Sequence, residues 1–275
     1  MKKIIAAAVA AAFIAPVYAA DITLSGDLEW SYSDGNGATS TALDGDVNVN
    51  ASTETANGLS VTTSINLSDN GDDDGGDAVT IGGDFGKLTL GDTSSAVDKF
   101  DDRNDYSFVA GTSLTGDDAA VGWDLPTLVP GAKLYVSYGA DSNEDGNEAH
   151  TGFALSYGAG PVSVAYGQNN NDDGTKITYV GGTATFGGIA VSVETMDDDA
   201  TDLEERSVGF KYSMGDVTVY GSNQKTTTAD ATDSDVSAFG VSYSLGGGVV
   251  AFAETSSDEE SAAAETTALG VTVKF

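Results

Sequence analysis

The sequence contains no cysteine, so neither disulfides nor thiolate metal sites are open to it. Histidine occurs once, at His150, and a nucleophile-activating imidazole needs a hydroxyl and an orienting acid within reach. Beside the acidic Asp141–Asn147 run, His150 reads as a solvent-exposed loop residue, and an enzymatic role is not expected. Paired carboxylates such as Glu204-Glu205 and Glu259-Glu260 read as solvated loop charge. Basic residues are scarce: 11 Lys and Arg stand against 43 Asp and Glu, a net charge of −32. That balance excludes nucleic acid or acidic lipid as the main partner, since both require a basic surface, and it points to inorganic cations as the species attracted. Beyond the N-terminal segment there is no apolar run of roughly 18 residues, so no transmembrane helix is expected. This absence excludes only helical membrane proteins.

The N-terminal segment has the form of a secretory leader. Lys2 and Lys3 precede an apolar stretch from Ile4 to Ile14, and Val17-Tyr18-Ala19 supplies small residues for cleavage. Residues 1–19 are therefore read as signal peptide and 20–275 as one domain. Loss of Lys2 and Lys3 takes the net charge to −34. Low hydrophobicity with such charge would ordinarily mean disorder, but periodicity argues otherwise.

The dominant pattern is a period of two. Ile22, Leu24, Leu28, Trp30 and Tyr32 alternate with Thr23, Ser25, Asp27, Glu29 and Ser31, which is a strand with one apolar and one wet face. The pattern returns at Val47–Ala51, Leu59–Leu67, Val79–Phe85, Lys87–Gly91, Ala120–Leu125, Lys133–Gly139 and Thr151–Tyr157. It continues in eight further runs to Thr267–Phe275, about 16 strands in all. Connections alternate between tight Gly-rich turns (Asn57-Gly58, Met214-Gly215, Gly246–Gly248) and longer acidic segments (Asp34–Asp44, Asp69–Asp77, Asp197–Glu205, Gln224–Ser234). Short and long in alternation describe an up-and-down meander with one tight rim and one looped rim. Aromatics recur near strand ends on the apolar face, among them Trp30, Tyr138, Tyr157, Tyr212, Tyr243 and Phe275, as in the interfacial girdles of a barrel spanning a lipid bilayer. The expected fold is an all-β, transmembrane, antiparallel up-and-down β-barrel of 16 strands.

The segment between Gly86–Asp92 and Ala119–Leu125 departs from the pattern. It is the longest connection in the chain, and connections of that length are normally functional. It mixes acids (Asp98, Asp101, Asp102, Asp105) with Lys99, Arg103 and the aromatics Phe100, Tyr106 and Phe108, with Phe100 and Phe108 as apolar anchors.

These features resemble the general diffusion porins of Gram-negative outer membranes, most closely those of alphaproteobacteria. The leader, the opening DITLSGDLEW (Asp21–Trp30), the GGDFGKLTLGDTSSA block (Gly82–Ala96) before the long third loop, and the terminal VTVKF (Val271–Phe275) carry the resemblance across the whole chain. It implies a homotrimer of 16-stranded barrels, each with a water-filled pore narrowed by the third loop folded into the lumen. It also implies passive diffusion of small hydrophilic solutes, no cofactor, and Phe275 as part of the signal read by the outer-membrane assembly machinery. The family sets acids on the third loop against a basic cluster on the facing wall, usually from early strands. Here residues 21–86 contain no Lys or Arg, and the inward positions include Asp27, Glu29, Asn48 and Asn50. Lys87, Lys133 and Lys211 have lumen-side parity elsewhere, and Arg206 lies at a strand end.

From the charge balance we expect a cation-selective pore with Asp98, Asp101, Asp102 and Asp105 as constriction acids and Lys99 and Arg103 facing the wall or neutralising them. Asp141-x-Asn143-x-Asp145-Gly146 matches the first half of a calcium loop but lacks the closing acid, Gly152 standing at that position, so only weak Ca²⁺ association is expected there. A non-conducting outer-membrane barrel with an adhesive or envelope-structural role is the alternative reading.

Overall fold

The computed structural model describes residues 21–35, 37–68, 78–101, 103–108, 114, 118–140, 149–228, 231–260 and 265–275. The leader segment, Asp102 and the Asp141–Asn143–Asp145 run lie outside the described residues. The rest forms one closed barrel in which each strand pairs with its sequence neighbours and β1 pairs β16. The strands are β1 (Asp21–Gly35), β2 (Ala38–Glu54), β3 (Ser60–Ser68), β4 (Ala78–Gly83), β5 (Gly86–Ser94) and β6 (Asp118–Asp124). They continue with β7 (Ala132–Gly139), β8 (His150–Ala159), β9 (Val162–Asn171), β10 (Lys176–Phe186) and β11 (Ile189–Asp198). The last are β12 (Leu203–Met214), β13 (Val217–Thr228), β14 (Ala231–Gly246), β15 (Val249–Asp258) and β16 (Thr266–Lys274). Every pairing is antiparallel. Closure removes the sheet edges that hydrocarbon would not tolerate.

The apolar face points outward. Ile22, Leu24, Trp30, Val164, Val193, Phe210, Tyr243 and Leu269 are all exposed, as a lipid-facing band requires. The strand end closes the cylinder: Phe275 and Gly26 exchange both backbone hydrogen bonds at 3.0 Å, and the Phe275 ring lies over Gly26, where a Cβ would come within 2.9 Å of it. Glycine is required at Gly86, whose φ is +97° and where a Cβ would meet the Asp124 carbonyl at 2.0 Å.

Two expectations are corrected. Asp34–Asp44 and Gln224–Ser234 are not loops: β1 and β2 pair from Gly35↔Ala38 downward, and β13 and β14 pair as far as Thr228↔Ala231. Beyond the lipid band both faces of a strand are wet, so apolar alternation stops while the hydrogen-bond ladder runs on. His150 is not an exposed loop residue either. It lies in β8, is 5% exposed, and its ring covers Gly139, the only residue type that leaves it room.

Candidate functional site

The described part of the long third connection (residues 95–101, 103–108 and 114) enters the barrel and lies along the inner wall from β6 to β15. A row of glycines makes this possible. A Cβ at Gly152 would meet the Ala96 Cβ at 2.6 Å, one at Gly167 the Ala96 carbonyl at 2.4 Å, one at Gly181 the Arg103 side chain at 2.8 Å, and one at Gly209 the Asn104 side chain at 2.7 Å. These four glycines lie on β8, β9, β10 and β12 on the inward face, so the wall is hollowed where the loop rests. Ser95, Ala96 and Val97 are fully buried on it, and Asn169 donates to the Ser95 hydroxyl at 3.0 Å.

Inward aromatics clamp the loop. The Tyr135 hydroxyl donates to the Ser94 carbonyl at 2.6 Å. Val97, Leu114, Ala165, Tyr179 and Met196 form an apolar cluster with Phe100 packed against it, and Phe108 stacks on Phe252 at 4.4 Å and 9°. Two buried glutamates hold the backbone. Glu194, 4% exposed, accepts the Asn104 N–H at 3.1 Å and lies 3.0 Å from the Tyr179 hydroxyl. Glu254, 3% exposed, accepts Ser107 Oγ at 2.5 Å, the Phe108 N–H at 2.8 Å and Tyr220 Oη at 2.9 Å. Such charge-assisted bonds are the strong kind, and they satisfy carboxylates that could not otherwise be buried.

Both loop cations are turned into the wall. Arg103 donates from Nε to Tyr179 Oη at 3.0 Å and from Nη1 to Ser163 Oγ at 3.0 Å and Thr183 Oγ1 at 3.2 Å. Lys99 pairs with Asp124 at 3.2 Å and lies 4.3 Å over the Tyr135 ring. Of the loop acids, Asp105 is exposed and Asp98 half-buried. Asp101, at the end of the Asp98–Phe100 3-10 turn, is only 2% exposed, packed beneath the loop rather than turned to the lumen. That turn redirects the chain toward the wall, so Asp101 and Asn104 are both buried.

The opposite arc is different. On β1 and β2 the register sets Asp27 opposite Asp46 and Glu29 opposite Asp44, two like-charge pairs side by side on the inward face, with Asn48 and Asn50 below them. Lys274 is the cross-strand partner of Asp27 on β16. Lys87 lies opposite Asp124 on the β5–β6 ladder, Lys133 opposite Ser156 on β7–β8, and Lys211 sits 4.9 Å from the Tyr106 ring of the loop. The inward cations are thus dispersed around the barrel rather than gathered opposite the loop. No cluster of three or more His, Cys, Asp or Glu among the described residues has the arrangement of a metal site.

Sequence reasoning missed Glu194, Glu254, Asp44, Asp46 and the glycine bed. A signal existed. Tyr135, Tyr179, Tyr220 and Phe252 are aromatics on the parity that should be wet, interspersed with glycines of the same parity, and together they trace the loop's footprint.

The family model for Gram-negative porins matches residues 6–263. The chain belongs to the Gram-negative porin family. This porin is an outer-membrane diffusion channel of the 16-stranded kind. Similar folds among solved structures include a Salmonella typhi OmpF complex with daunomycin (11% identity, 94% of this chain and 99% of that one, TM-score 0.75). A mutant of the Rh. blastica porin (16%, 93% and 100%, TM-score 0.70) and an anion-selective porin from Comamonas acidovorans (14%, 94% and 100%, TM-score 0.70) are also similar. No curated protein sequence matches the chain.

Proposed function

We propose that this porin passes cations in preference to anions, through a constriction between the third loop and the β1–β2 wall. The observation that carries the reading is the pairing of Asp27 with Asp46 and Glu29 with Asp44 on an arc with no Lys or Arg from residue 21 to 86. At physiological salt the Debye length is about 8 Å, so carboxylates on the wall act on ions within the channel. The loop cations contribute little to offset them, because Arg103 is engaged by three hydroxyls and Lys99 by Asp124 and Tyr135. Asp105 and Asp98 add negative charge from the loop side, and Asp102 is the remaining constriction acid of this proposal. The barrel fold does not decide the sign, since a protein of the same fold is described as anion-selective; the wall charges do.

A planar-bilayer recording in a salt gradient tests this. The reversal potential is expected to lie on the cation side, and an anion-side potential overturns the reading. The same proposal takes the working unit as a homotrimer, and Phe275 as the element read by the assembly machinery. A Phe275 deletion is expected to lower the amount of folded barrel in the outer membrane while leaving secretion of the chain unchanged.

A further inference from the structure

Composition argues against acidic lipid as a general partner, but averages conceal placement. Nine Lys and Arg lie beyond residue 20. Two are on the third loop, and Lys87, Lys133, Lys211 and Lys274 face inward. The other three, Lys176, Arg206 and Lys225, have the outward parity, and all lie on the β10–β13 arc toward the long-loop rim. Arg206 and Lys225 are direct cross-strand partners, an arrangement that is destabilising on its own. Glu204 bonds Arg206 and Asp235 lies a loose 3.9 Å from Lys225, yet the Arg206 side chain stays 68% exposed and that of Lys225 46%.

Their depth is informative. On β12 the outward residues from the tight-turn end are Met214, Tyr212, Phe210 and Val208, and Arg206 is the next outward residue, the first polar position above the lipid band. Glu204 and, through pairing, Asp197 lie one outward position further toward water. The two cations therefore stand where lipid headgroups begin, with Glu204 and Asp197 beyond them and Asp235 level with Lys225 as its cross-strand partner on β14.

Below Arg206 the outer wall is grooved. A groove of about 500 Å³ is walled by Val164, Val180, Val193, Thr195 and Arg206. Its floor is Gly182, paired with Val164 and Val193, where the nearest atom to an added Cβ would be 3.7 Å away. The groove runs within the lipid band and ends at the arginine.

We propose that this groove holds one acyl chain of a phosphorylated lipid, with the lipid phosphate bridging Arg206 and Lys225. The apolar walls match a hydrocarbon chain, and the two cations match a phosphate at headgroup depth. Electrostatic attraction and chain burial act on one molecule, which sets the site apart from the general lipid annulus.

Native mass spectrometry of the intact detergent-solubilised porin tests it, with phosphatidic acid and phosphatidylcholine of identical chains as probes. Phosphatidic acid is expected to bind more tightly. R206Q and K225Q should each weaken it about fivefold, since a basic side chain near a lipid surface contributes about that much per charge, and should leave phosphatidylcholine unchanged. G182L, which fills the groove, should weaken both lipids while single-channel conductance stays as in the parent. Equal binding of the two lipids, or phosphatidic acid binding indifferent to R206Q and K225Q, overturns the proposal. So does displacement of the lipid by inorganic phosphate alone, which marks a simple anion site. A change of oligomeric state in G182L overturns it too, since the face is then an interface between copies.

Discussion

The two arcs of the inner wall obey opposite rules although the same ladder of strands builds both. Where the loop rests on it, from β7 to β15, the wall is dry. Glycines hollow it, tyrosines reach across it, and two glutamates are buried with their oxygens engaged by the loop and by the wall residues Tyr179 and Tyr220. On β1 and β2 the wall is wet, and carboxylates face each other without any such enclosure. A lumen-facing residue can thus serve as packed core or as lining for an electrolyte, and the third loop decides which. The dry arc is constrained by packing, where a single atom matters. The wet arc is constrained only by charge, so composition can drift there without cost to the fold.

The comparison can be broken most forcefully at the buried glutamates. In an E194L/E254L double variant the Asn104 and Phe108 N–H groups and the Ser107 hydroxyl lose charged acceptors. At about 1.5–3 kcal/mol for each hydrogen bond to a charged group, the loop should detach. Heat-modifiable gel migration should show a less stable barrel, and protease is expected to cut among Ser95–Phe108 more readily than in the parent. G167L is the next largest. Its side chain runs into the Ala96 carbonyl and Val97 Cα, backbone that cannot yield without moving the loop, and overpacking of this kind costs about 1–3 kcal/mol. Single-channel conductance should rise as the loop is lifted, and a conductance equal to the parent's would show that the glycine bed is not what seats it.

On the wet arc the expected result has the opposite character. Replacing Asp27, Glu29, Asp44 and Asp46 by the corresponding amides removes two like-charge pairs, each worth about 0.2–1 kcal/mol of destabilisation. The barrel should be as stable as the parent or slightly more so, while the reversal potential falls toward zero. Raising the salt should imitate the substitution, because the Debye length shrinks from about 10 Å at 0.1 M to about 3 Å at 1 M. Selectivity that survives both treatments would relocate the filter to Asp105 and Asp98 on the loop.

The wet arc was the more legible in sequence, and the reason is physical. Alternation reports which residues meet lipid and which meet water, and β1 shows it without exception from Ile22 to Tyr32 apart from Gly26. Asp44 and Asp46 escaped only because the alternation fades above the lipid band, where β2 continues among residues such as Thr39, Ser40 and Thr41. The dry arc was harder to read because its residues break the rule that reveals strands. Tyr179 occupies a wet-parity position, and Gly181 beside it reads as a weak strand residue until the loop is laid on top. Asp101 shows the same limit from the loop's side. Lys99, Asp102 and Arg103 surround it in sequence, yet the 3-10 turn before it buries the carboxylate. Burial against a distant segment leaves no periodic trace.

The smallest effect is expected at the seam between the arcs. Lys99 pairs with Asp124 across a partly exposed gap, with side chains 26% and 41% exposed, and such pairs contribute about 0–1 kcal/mol. K99M keeps much of the stem that covers Tyr135 and removes only the charge, so thermal stability should move by no more than that. Selectivity should shift slightly further toward cations, because Asp124 is released to the lumen beside Lys87. A large loss of stability in K99M would mean that the contact over the Tyr135 ring, rather than the ion pair, fastens this end of the loop. K99R then separates the two: a guanidinium stacks on an aromatic face at least as well as an ammonium does, so it should restore the stability that methionine lost.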